Sequence, residues 1–389
     1  MFKSSFKVKD PNKVRVVIVT DSLQPWNFGG KEERLRHLSD SSLKVEESNF
    51  EIFYATMKWW TGNPPANHVA ISKLFPMYYK ERRSIKQAIF FSISCFKVIR
   101  MRPDIIEADQ VPILPIFILK LVAILCRASL SVTWHEVWGR QEWLEYLGRS
   151  GLIASQLESW AVKLPNQLIA VSIPTRFKMI QAGVPEDKIE LIEPDIDHQS
   201  ITRATTRLPS TDLLFAGRLI KHKNLDLVIR SVSLLKSESM LVTLSIVGDG
   251  PELSNLKRLT RELGIENQVI FHGFLPNNSD VWGLMKKCSI FVSPSTREGF
   301  GFSVLEAHYA GAKIIIADHP NNASSFYLND SEDVISVQES TPEAYSYAIK
   351  GLLPSVRAST QISENQVLNM YEKYEKSWAK NLRMTRGAS

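Results

Sequence analysis

An apolar run at residues 111–126, "VPILPIFILKLVAILC", lies between two short segments rich in β-branched residues, and this arrangement is the strongest constraint on the fold. The flanking segments, "PDIIEAD" and "LSVTWHE", have the length and composition of buried strands. The run contains Pro112, Pro115 and Lys120 and is shorter than the roughly 20 residues that span a bilayer. It therefore predicts a buried helix within a parallel strand-helix-strand unit.

The same alternation recurs along the whole chain. Strands are predicted near Val14, Ile52, Ile105, Val132, Ile169, Leu213, Val242, Val269, Ile290 and Ile314. A chain of 389 residues is too long for one ordinary core, and a hydrophobic content of 44% indicates a folded protein. We therefore predict an α/β protein with two doubly wound, Rossmann-like domains facing a cleft. The predicted domains are residues 1–197 and 205–367, joined near residues 195–207.

The segment "SPSTREGFGFSVLEAHYAG", residues 293–311, is the main clue to function. A short strand turns into a helix near Phe302, and Gly299 and Gly301 let the backbone approach a ligand. The N–H groups at a helix start favour phosphate. Glu298 and Glu306 can accept hydrogen bonds from hydroxyls, one from a hexose and the other from a ribose. Alternatively, they are a helix-start glutamate and a solvated one.

A second strand-loop-helix segment, "LLFAGRLIKHKNLDLVIRSVSLL", carries two cations in its loop. Its helix is predicted to begin near Asn224. Arg218 and Lys223 can hold a diphosphate through charge-assisted hydrogen bonds and stabilise it as a leaving group. Basic loop residues are also commonly just solvated, and this segment alone leaves that alternative open.

Several motifs together resemble the retaining glycosyltransferases of family 4. They are "GRLIKHKN", "VGDGPE", "FHGF" and two glutamates separated by seven residues in the second half, in the family's order and spacing. The first half has the weaker matches "VRVVIVTDSLQPWNFGGKEERLRHLS" and "TWHEVWG". The resemblance covers nearly the whole chain. It implies the GT-B fold and a final helix, about 368–389, that returns to the first domain.

The resemblance also implies roles for individual residues. Arg218 and Lys223 would clamp the diphosphate, Glu306 would bind the ribose, and Glu298 would contact the transferred sugar. His135 would lie against that sugar across the cleft. The remaining implied binding positions are Gly29 and Gly30 near the phosphates or acceptor, and Gly299, Phe300 and Gly301 at the donor.

The implied reaction is transfer of a hexose from a nucleoside diphosphate sugar to an acceptor hydroxyl with retention of configuration. The donor is a substrate, so no bound cofactor is expected, and the cationic loop would replace a metal ion. The sequence departs from the family at "NNASSFYL" from Asn321, at Pro194 and Asp195 before the linker, and at Glu136 in the histidine motif. The first departure resembles members that make membrane glycolipids, which suggests a lipid or lipid-linked glycan acceptor.

Residues 70–102 are strongly basic and carry interleaved aromatic residues. Such a stretch can lie on an anionic membrane surface, which predicts a cytoplasmic protein that is peripheral to the membrane. The alternative is a solvated helix whose apolar face packs on the sheet. A pI near 9.0 is also compatible with nucleic-acid binding, but no nucleic-acid-binding module is recognisable in the sequence. Nucleic acid is therefore not expected as a partner.

The cysteines, Cys95, Cys126 and Cys288, are widely spaced, which predicts buried thiols in a reducing compartment and no metal site. The amino terminus shows no signal peptide pattern. A dinucleotide-dependent oxidoreductase is a rival class, but "VGDGPEL" has Leu253 where a third glycine is required. A catalytically silent partner subunit is the non-enzyme alternative, against which the intact charged residues argue.

Overall fold

The computed structural model describes residues 9–43, 48–79, 82–328, 331–353 and 370–387. The chain divides into two compact units. Unit 1 comprises Met1–Asp195 and Leu368–Ser389, and unit 2 comprises Ile196–Val367. Each unit is built on one parallel β-sheet with helices between successive strands, which confirms the predicted fold class.

Short, β-branched strands form both sheets. The strands of unit 1 are β1 (Val14–Val19), β2 (Phe50–Met57), β3 (His68–Ser72), β4 (Tyr78–Tyr79), β5 (Arg82–Arg83), β6 (Ile105–Asp109), β7 (Ser129–Trp134), β8 (Gln167–Ala170) and β9 (Ile189–Leu191). Those of unit 2 are β10 (Leu213–Ala216), β11 (Leu244–Val247), β12 (Val269–Gly273), β13 (Ile290–Ser293), β14 (Lys313–Ala317) and β15 (Val334–Val337).

Helices connect these strands. They are α1 (Gly30–Leu43), α2 (Ile85–Ser94), α3 (Leu114–Cys126), α4 (Gly139–Leu147), α5 (Gly151–Ala161), α6 (Ile173–Gln181), α7 (His198–Arg203), α8 (Leu225–Ser237), α9 (Leu253–Glu262), α10 (Asn278–Lys287), α11 (Phe302–Tyr309), α12 (Ala323–Leu328), α13 (Pro342–Leu352) and α14 (Met370–Gly387). Short 3₁₀ helices span Cys95–Met101, Gly148–Ser150, Glu186–Lys188, Lys221–Lys223 and Glu266–Gln268.

The sheets share one topology. The strand order is β3-β2-β1-β6-β7-β8-β9 in unit 1 and β12-β11-β10-β13-β14-β15 in unit 2, and β4 and β5 form a separate antiparallel pair. In each sheet the order reverses at the first strand, β1 or β10. Ligands of such sheets bind at this switch point, beyond the carboxyl ends of the strands.

Helix α3 corrects one prediction from the sequence. The run at 111–126 does contain a helix, but only one of its faces is buried, against the sheet of unit 1, at Ile116, Leu119 and Val122. The side chains of Ile124 and Leu125 are each 66% exposed. The prediction of a buried helix was wrong because a helix that packs on one face of a sheet buries only the stripe turned toward it.

Helix α14 packs in unit 1. Its Tyr374 and Trp378 are fully buried beside β1, β2 and α1, in a core cluster with Leu35 and Leu38. The two aromatic rings lie 5.6 Å apart and tilted. The end of the chain therefore completes the core of the unit that contains its beginning.

Candidate active site

In unit 2 the two functional segments predicted from the sequence follow neighbouring strands. Arg218 and Lys223 lie between β10 and α8, and Glu298 lies between β13 and α11. Strands β10 and β13 pair in parallel, so both loops leave the same edge of the sheet at the switch point. Hydrogen bonds join the loops: the Thr296 N–H donates to the His222 carbonyl at 3.2 Å.

Lys223 and Glu298 form an ion pair, with the ammonium donating to Oε1 of the carboxylate. Each side chain is about one-sixth exposed, at 15%. The single-turn 3₁₀ helix Lys221–Lys223 and the left-handed backbone of Asn224, with φ of 47°, fix the position of the lysine. A cation and an acid that lie 75 residues apart in the sequence therefore meet at one point.

His222 reports the strong positive field in this loop. Burial, followed by the charges of Arg297, Lys223 and Arg218, lowers its pKa from 6.5 to about 3. The imidazole is therefore neutral at physiological pH, and its Nδ1 lies 3.3 Å from Nη2 of Arg297. Three cations converge on this loop, which suits a ligand with several negative charges.

Gly301 begins helix α11 in the left-handed conformation, with φ of +88°. A Cβ atom there would lie 2.6 Å from Cβ of Ser324, so the position requires glycine. One turn into the helix, Glu306 accepts a hydrogen bond from Trp282 Nε1 at 3.0 Å. The indole of α10 thus holds the carboxylate, an orienting contact that the sequence analysis did not find.

The backbone of Glu298 is held by the segment that departs from the family pattern. Its N–H donates to the Asn321 carbonyl and its carbonyl accepts from the Ala323 N–H, both at 2.9 Å. Asn322 is 2% exposed, and its side-chain amide donates to the Ser295 and Ala317 carbonyls at 3.2 and 3.0 Å. Asn321 and Asn322 therefore hold the loop that carries Glu298 in place.

Phe300 is almost fully buried. The residue is only 9% exposed, and its ring packs edge-on against Phe302, with ring centroids 5.2 Å apart. Tyr327 of α12 covers it at 5.7 Å. Gly299 next to it is half-buried.

The glycines of "VGDGPEL" serve packing within unit 2. A Cβ on Gly248 would lie 1.9 Å from the Gly217 carbonyl oxygen, and one on Gly250 would lie 2.3 Å from that of Leu219. The Leu219 N–H also donates to the Asp249 carbonyl at 2.9 Å. These glycines let the loop after β11 lie against the loop after β10, which explains them without a dinucleotide.

In unit 1 the predicted residues also lie at the carboxyl edge of the sheet. Gly29 and Gly30 are exposed at the start of α1, and His135 directly follows β7. His135 Nε2 lies 3.1 Å from Asp109 Oδ1 at the end of β6. Lys31, beside the glycine pair, forms an ion pair of 2.7 Å with the buried Asp21.

The structure therefore brings the predicted residues together in two groups, each within one unit. Lys223 is in direct contact with Glu298. Arg218 lies close enough for its charge to lower the pKa of His222, the neighbour of Lys223. Glu306 is placed one helical turn beyond the loop and is held by Trp282. Sequence reasoning missed Arg297, Trp282 and Asp109.

Two family models match consecutive parts of the chain. Residues 45–200 match Glycosyltransferase Family 4, and residues 200–367 match Glycosyl transferases group 1. Together with the paired α/β units and the cationic loops, these matches define the class. The chain belongs to the glycosyltransferases that combine a family 4 amino-terminal domain with a group 1 carboxyl-terminal domain.

Three relatives illustrate the range of similar sequences. The alpha-monoglucosyldiacylglycerol synthase of Streptococcus pneumoniae is 24% identical over 218 residues, 51% of this chain and 47% of that protein. The GDP-mannose:cellobiosyl-diphosphopolyprenol alpha-mannosyltransferase of Komagataeibacter xylinus is 30% identical over 145 residues, 36% and 35%. An N-acetylgalactosaminyltransferase of Campylobacter jejuni named for a diphospho-undecaprenol acceptor is 29% identical, over 38% of this chain and 40% of that protein. The matched segments span less than half the length of these relatives.

Solved structures match over a longer range. HepE from Anabaena, solved with UDP and glucose, superposes with a TM-score of 0.64 at 15% identity, covering 96% of this chain and 98% of that one. WaaG, a glycosyltransferase involved in lipopolysaccharide biosynthesis, gives 0.64 at 14% identity, covering 96% and 95%. The likeness establishes that this chain has the GT-B fold.

Proposed function

We propose that this protein transfers a hexose from a nucleoside diphosphate sugar to an acceptor hydroxyl, with retention of configuration. The observation that carries the proposal is the pairing of Lys223 with Glu298 at the switch point of unit 2, beside Arg218. Family membership and the fold agree with it, and HepE was solved with UDP and glucose. In this scheme the loop cations receive the diphosphate and the neighbouring acid receives sugar hydroxyls.

The cations act mainly as the leaving group departs. When the bond between the anomeric carbon and the diphosphate breaks, negative charge grows on the phosphate oxygens, and Arg218 and Lys223 stabilise it. The Glu306 carboxylate, oriented by Trp282, accepts hydrogen bonds from the ribose. In unit 1, His135 contacts the transferred sugar, and the open backbone at Gly29 and Gly30 lies near the acceptor or phosphates. The diphosphate itself helps to remove the acceptor proton on the front face.

A donor panel tests this function. Nucleoside diphosphate hexoses with uridine, guanosine and adenosine are offered with diacylglycerol or polyprenyl diphosphate-linked sugars, and the anomeric configuration of the product is read by NMR. Arg218→Ala is expected to lower kcat by about a hundredfold or more. Arg258→Ala, which removes an exposed arginine of α9, is the matched control and keeps full activity. Absence of both binding and turnover across the panel supports a silent partner subunit, and normal turnover of Arg218→Ala refutes the clamp.

The acceptor is proposed to be a membrane lipid or a lipid-linked glycan, because the names of the Streptococcus pneumoniae and Komagataeibacter xylinus relatives give such acceptors for those two proteins. Unit 1 has a surface that suits this acceptor. Helix α2 turns Gln87 and Phe91 inward and leaves Ile85, Ile89 and Ile93 exposed at 64%, 45% and 58%. These isoleucines recur every four residues and form one outward stripe.

The apolar surface continues onto neighbouring helices. Helix α3, which packs on α2, exposes Leu121, Ile124 and Leu125, and α5 exposes Ile153 and Trp160. Exposed cations occur in the same part of the chain, at Lys86, Lys97, Arg100 and Arg102. Exposed apolar residues with cations close by in the sequence suit the interface of an anionic bilayer, in which each cation contributes about 1 kcal/mol. Among the described residues, no helix has both the length and the apolar character needed to cross a membrane.

Vesicle flotation tests the membrane surface. The protein is expected to float with vesicles that contain phosphatidylglycerol and to be released by salt. Ile89→Glu combined with Ile93→Glu should abolish flotation. Leu241→Glu, which changes a 76% exposed leucine of unit 2, is the control and should float normally. No binding to anionic vesicles at low salt refutes this surface.

A further inference from the structure

A continuous chain of polar contacts runs from His135 into the core of unit 1. His135 Nε2 lies 3.1 Å from Asp109 Oδ1, and the same oxygen accepts from Arg34 Nη2 at 2.7 Å. Arg34 Nη1 donates to the hydroxyl of Tyr374 at 2.5 Å. Four side chains from β6, α1, α14 and the end of β7 thus form one line.

These polar contacts keep the Asp109 carboxyl ionised. Burial would raise the pKa of this carboxyl, but Arg34 and then the hydrogen bond from His135 outweigh burial and hold the pKa below its usual range. Asp109 is therefore an acceptor only. The Nε2 atom of His135 must therefore carry the hydrogen in this contact, and in the imidazole form of the ring Nδ1 then has a free lone pair.

The rest of His135 is equally constrained. Its N–H donates to Gln110 Oε1 at 2.5 Å, and its carbonyl accepts from Thr175 Oγ1 at 3.1 Å. The side chain is 22% exposed, whereas that of Asp109 is 2% exposed and that of Arg34 is fully buried. The backbone of His135 and one nitrogen of its ring are therefore both held in place, while the side chain stays partly exposed to solvent.

The polar chain is not optimised for stability alone. Within the described part of the protein, Arg34 Nε and Asp109 Oδ2 are buried without a hydrogen-bond partner. Unsatisfied buried polar atoms are unfavourable, and apolar residues would fill the same core without that cost. Such groups in a fold are typical of functional positions.

We infer that Arg34 and Asp109, supported by Tyr374, are positioning residues that hold His135 as the Nε2–H tautomer. His135 Nδ1 then accepts a hydrogen bond from a hydroxyl of the sugar substrate. The hydrogen bond to a sugar hydroxyl rests on the proposed function. The tautomer does not, because it is a property of the protein without donor.

A double-mutant cycle tests the positioning role. Asp109→Asn is expected to lower kcat/KM at least about tenfold in the wild-type background and less than about twofold in a His135→Ala background. Equal losses in both backgrounds would overturn the inference, because Asp109 would then act through general stability.

Tyr374→Phe provides a milder variant in case Asp109→Asn does not fold. It removes one hydroxyl from the buried ring, and a loss of about threefold in kcat/KM is expected, again only when His135 is present. Tyr345→Phe is the matched control, since it removes a buried hydroxyl of unit 2 that has no hydrogen-bond partner among the described residues. It should leave kcat/KM unchanged.

Nitrogen-15 NMR of histidine-labelled protein without donor tests the tautomer directly. The His135 signals, assigned by their loss in His135→Ala, should show a protonated Nε2 and an unprotonated Nδ1, and Asp109→Asn should remove this preference. The opposite tautomer in the wild type overturns the inference. A correct tautomer in a protein that turns over no donor would instead refute the proposed function.

Discussion

Replacing Glu298 with glutamine should move nucleotide binding and sugar transfer in opposite directions. In the donor-free structure the Lys223 ammonium is paired with the Glu298 carboxylate, and both side chains are only 15% exposed. An incoming diphosphate must therefore share this ammonium, and it also meets the like charge of the carboxylate. Glutamine keeps the shape of the side chain and removes both penalties.

The size of the effect follows from the pair. Unit charges about 4 Å apart interact by about 4 kcal/mol at an effective dielectric constant of about 20, and net hydrogen bonds to charged groups are worth about 1.5–3 kcal/mol. A gain of about 1.4 kcal/mol for the free diphosphate corresponds to about tenfold tighter binding. Loss of a charged acceptor for a sugar hydroxyl should lower kcat by about ten- to a hundredfold.

Isothermal titration of the preferred nucleoside diphosphate, at low and high salt, measures the first effect, and initial rates measure the second. Glu262→Gln removes an equal charge from an exposed pair with Arg258 on α9 and should change neither value. If Glu298→Gln weakens diphosphate binding as much as it lowers kcat, the carboxylate supports the lysine and does not compete for it, and the reasoning fails.

Three further predictions concern unit 2. Gly301→Ala places a Cβ atom 2.6 Å from that of Ser324 at a φ of +88°, so urea titration should show a free energy of unfolding lower by about 1–3 kcal/mol. Gly351→Ala, whose Cβ atom makes only an ordinary contact at 3.8 Å, is the control and should leave it unchanged. Because the folded-state pKa of His222 is about 3 against 6.5 when unfolded, the unfolded chain takes up the proton first as pH falls, and wild-type stability should drop by about 2 kcal/mol between pH 7 and pH 5. His222→Gln should lack this part of the loss, and identical pH dependence of the two proteins would contradict the assigned environment. Turnover should survive chelation by EDTA, and strict loss that manganese restores would show that a metal does part of the work assigned to the loop cations.

The central strands could be predicted from the sequence because they are buried on both faces and read as continuous apolar runs. The edge strands β3, β9 and β15 escaped prediction, since they are short and partly exposed and so lack that signal. Strand β11 begins at Leu244, two residues after the predicted position at Val242. Strand ends depend on pairing with neighbours, which a run of apolar residues does not encode.

For the site, the sequence indicated which loops carry the charges but not which side chains meet. The ion pair of Lys223 with Glu298 follows from the adjacency of β10 and β13, which is a property of topology. Trp282 contacts Glu306, and Asp109 contacts His135, across separate elements of the fold. Such contacts produce no recognisable local pattern in the sequence, so they could not be predicted from it. The outward stripe of α2 was equally hidden, because composition does not reveal which face of an amphipathic helix turns to the sheet.

The packing of α14 has a consequence for biosynthesis. Tyr374 and Trp378 supply two of the large side chains in the core beside β1 and α1, so the first unit lacks part of its interior until the ribosome has made residues near the end of the chain. Unit 2 draws its strands from one unbroken stretch of polypeptide and can mature earlier during translation. The unit whose synthesis begins first is thus the unit whose core is completed last.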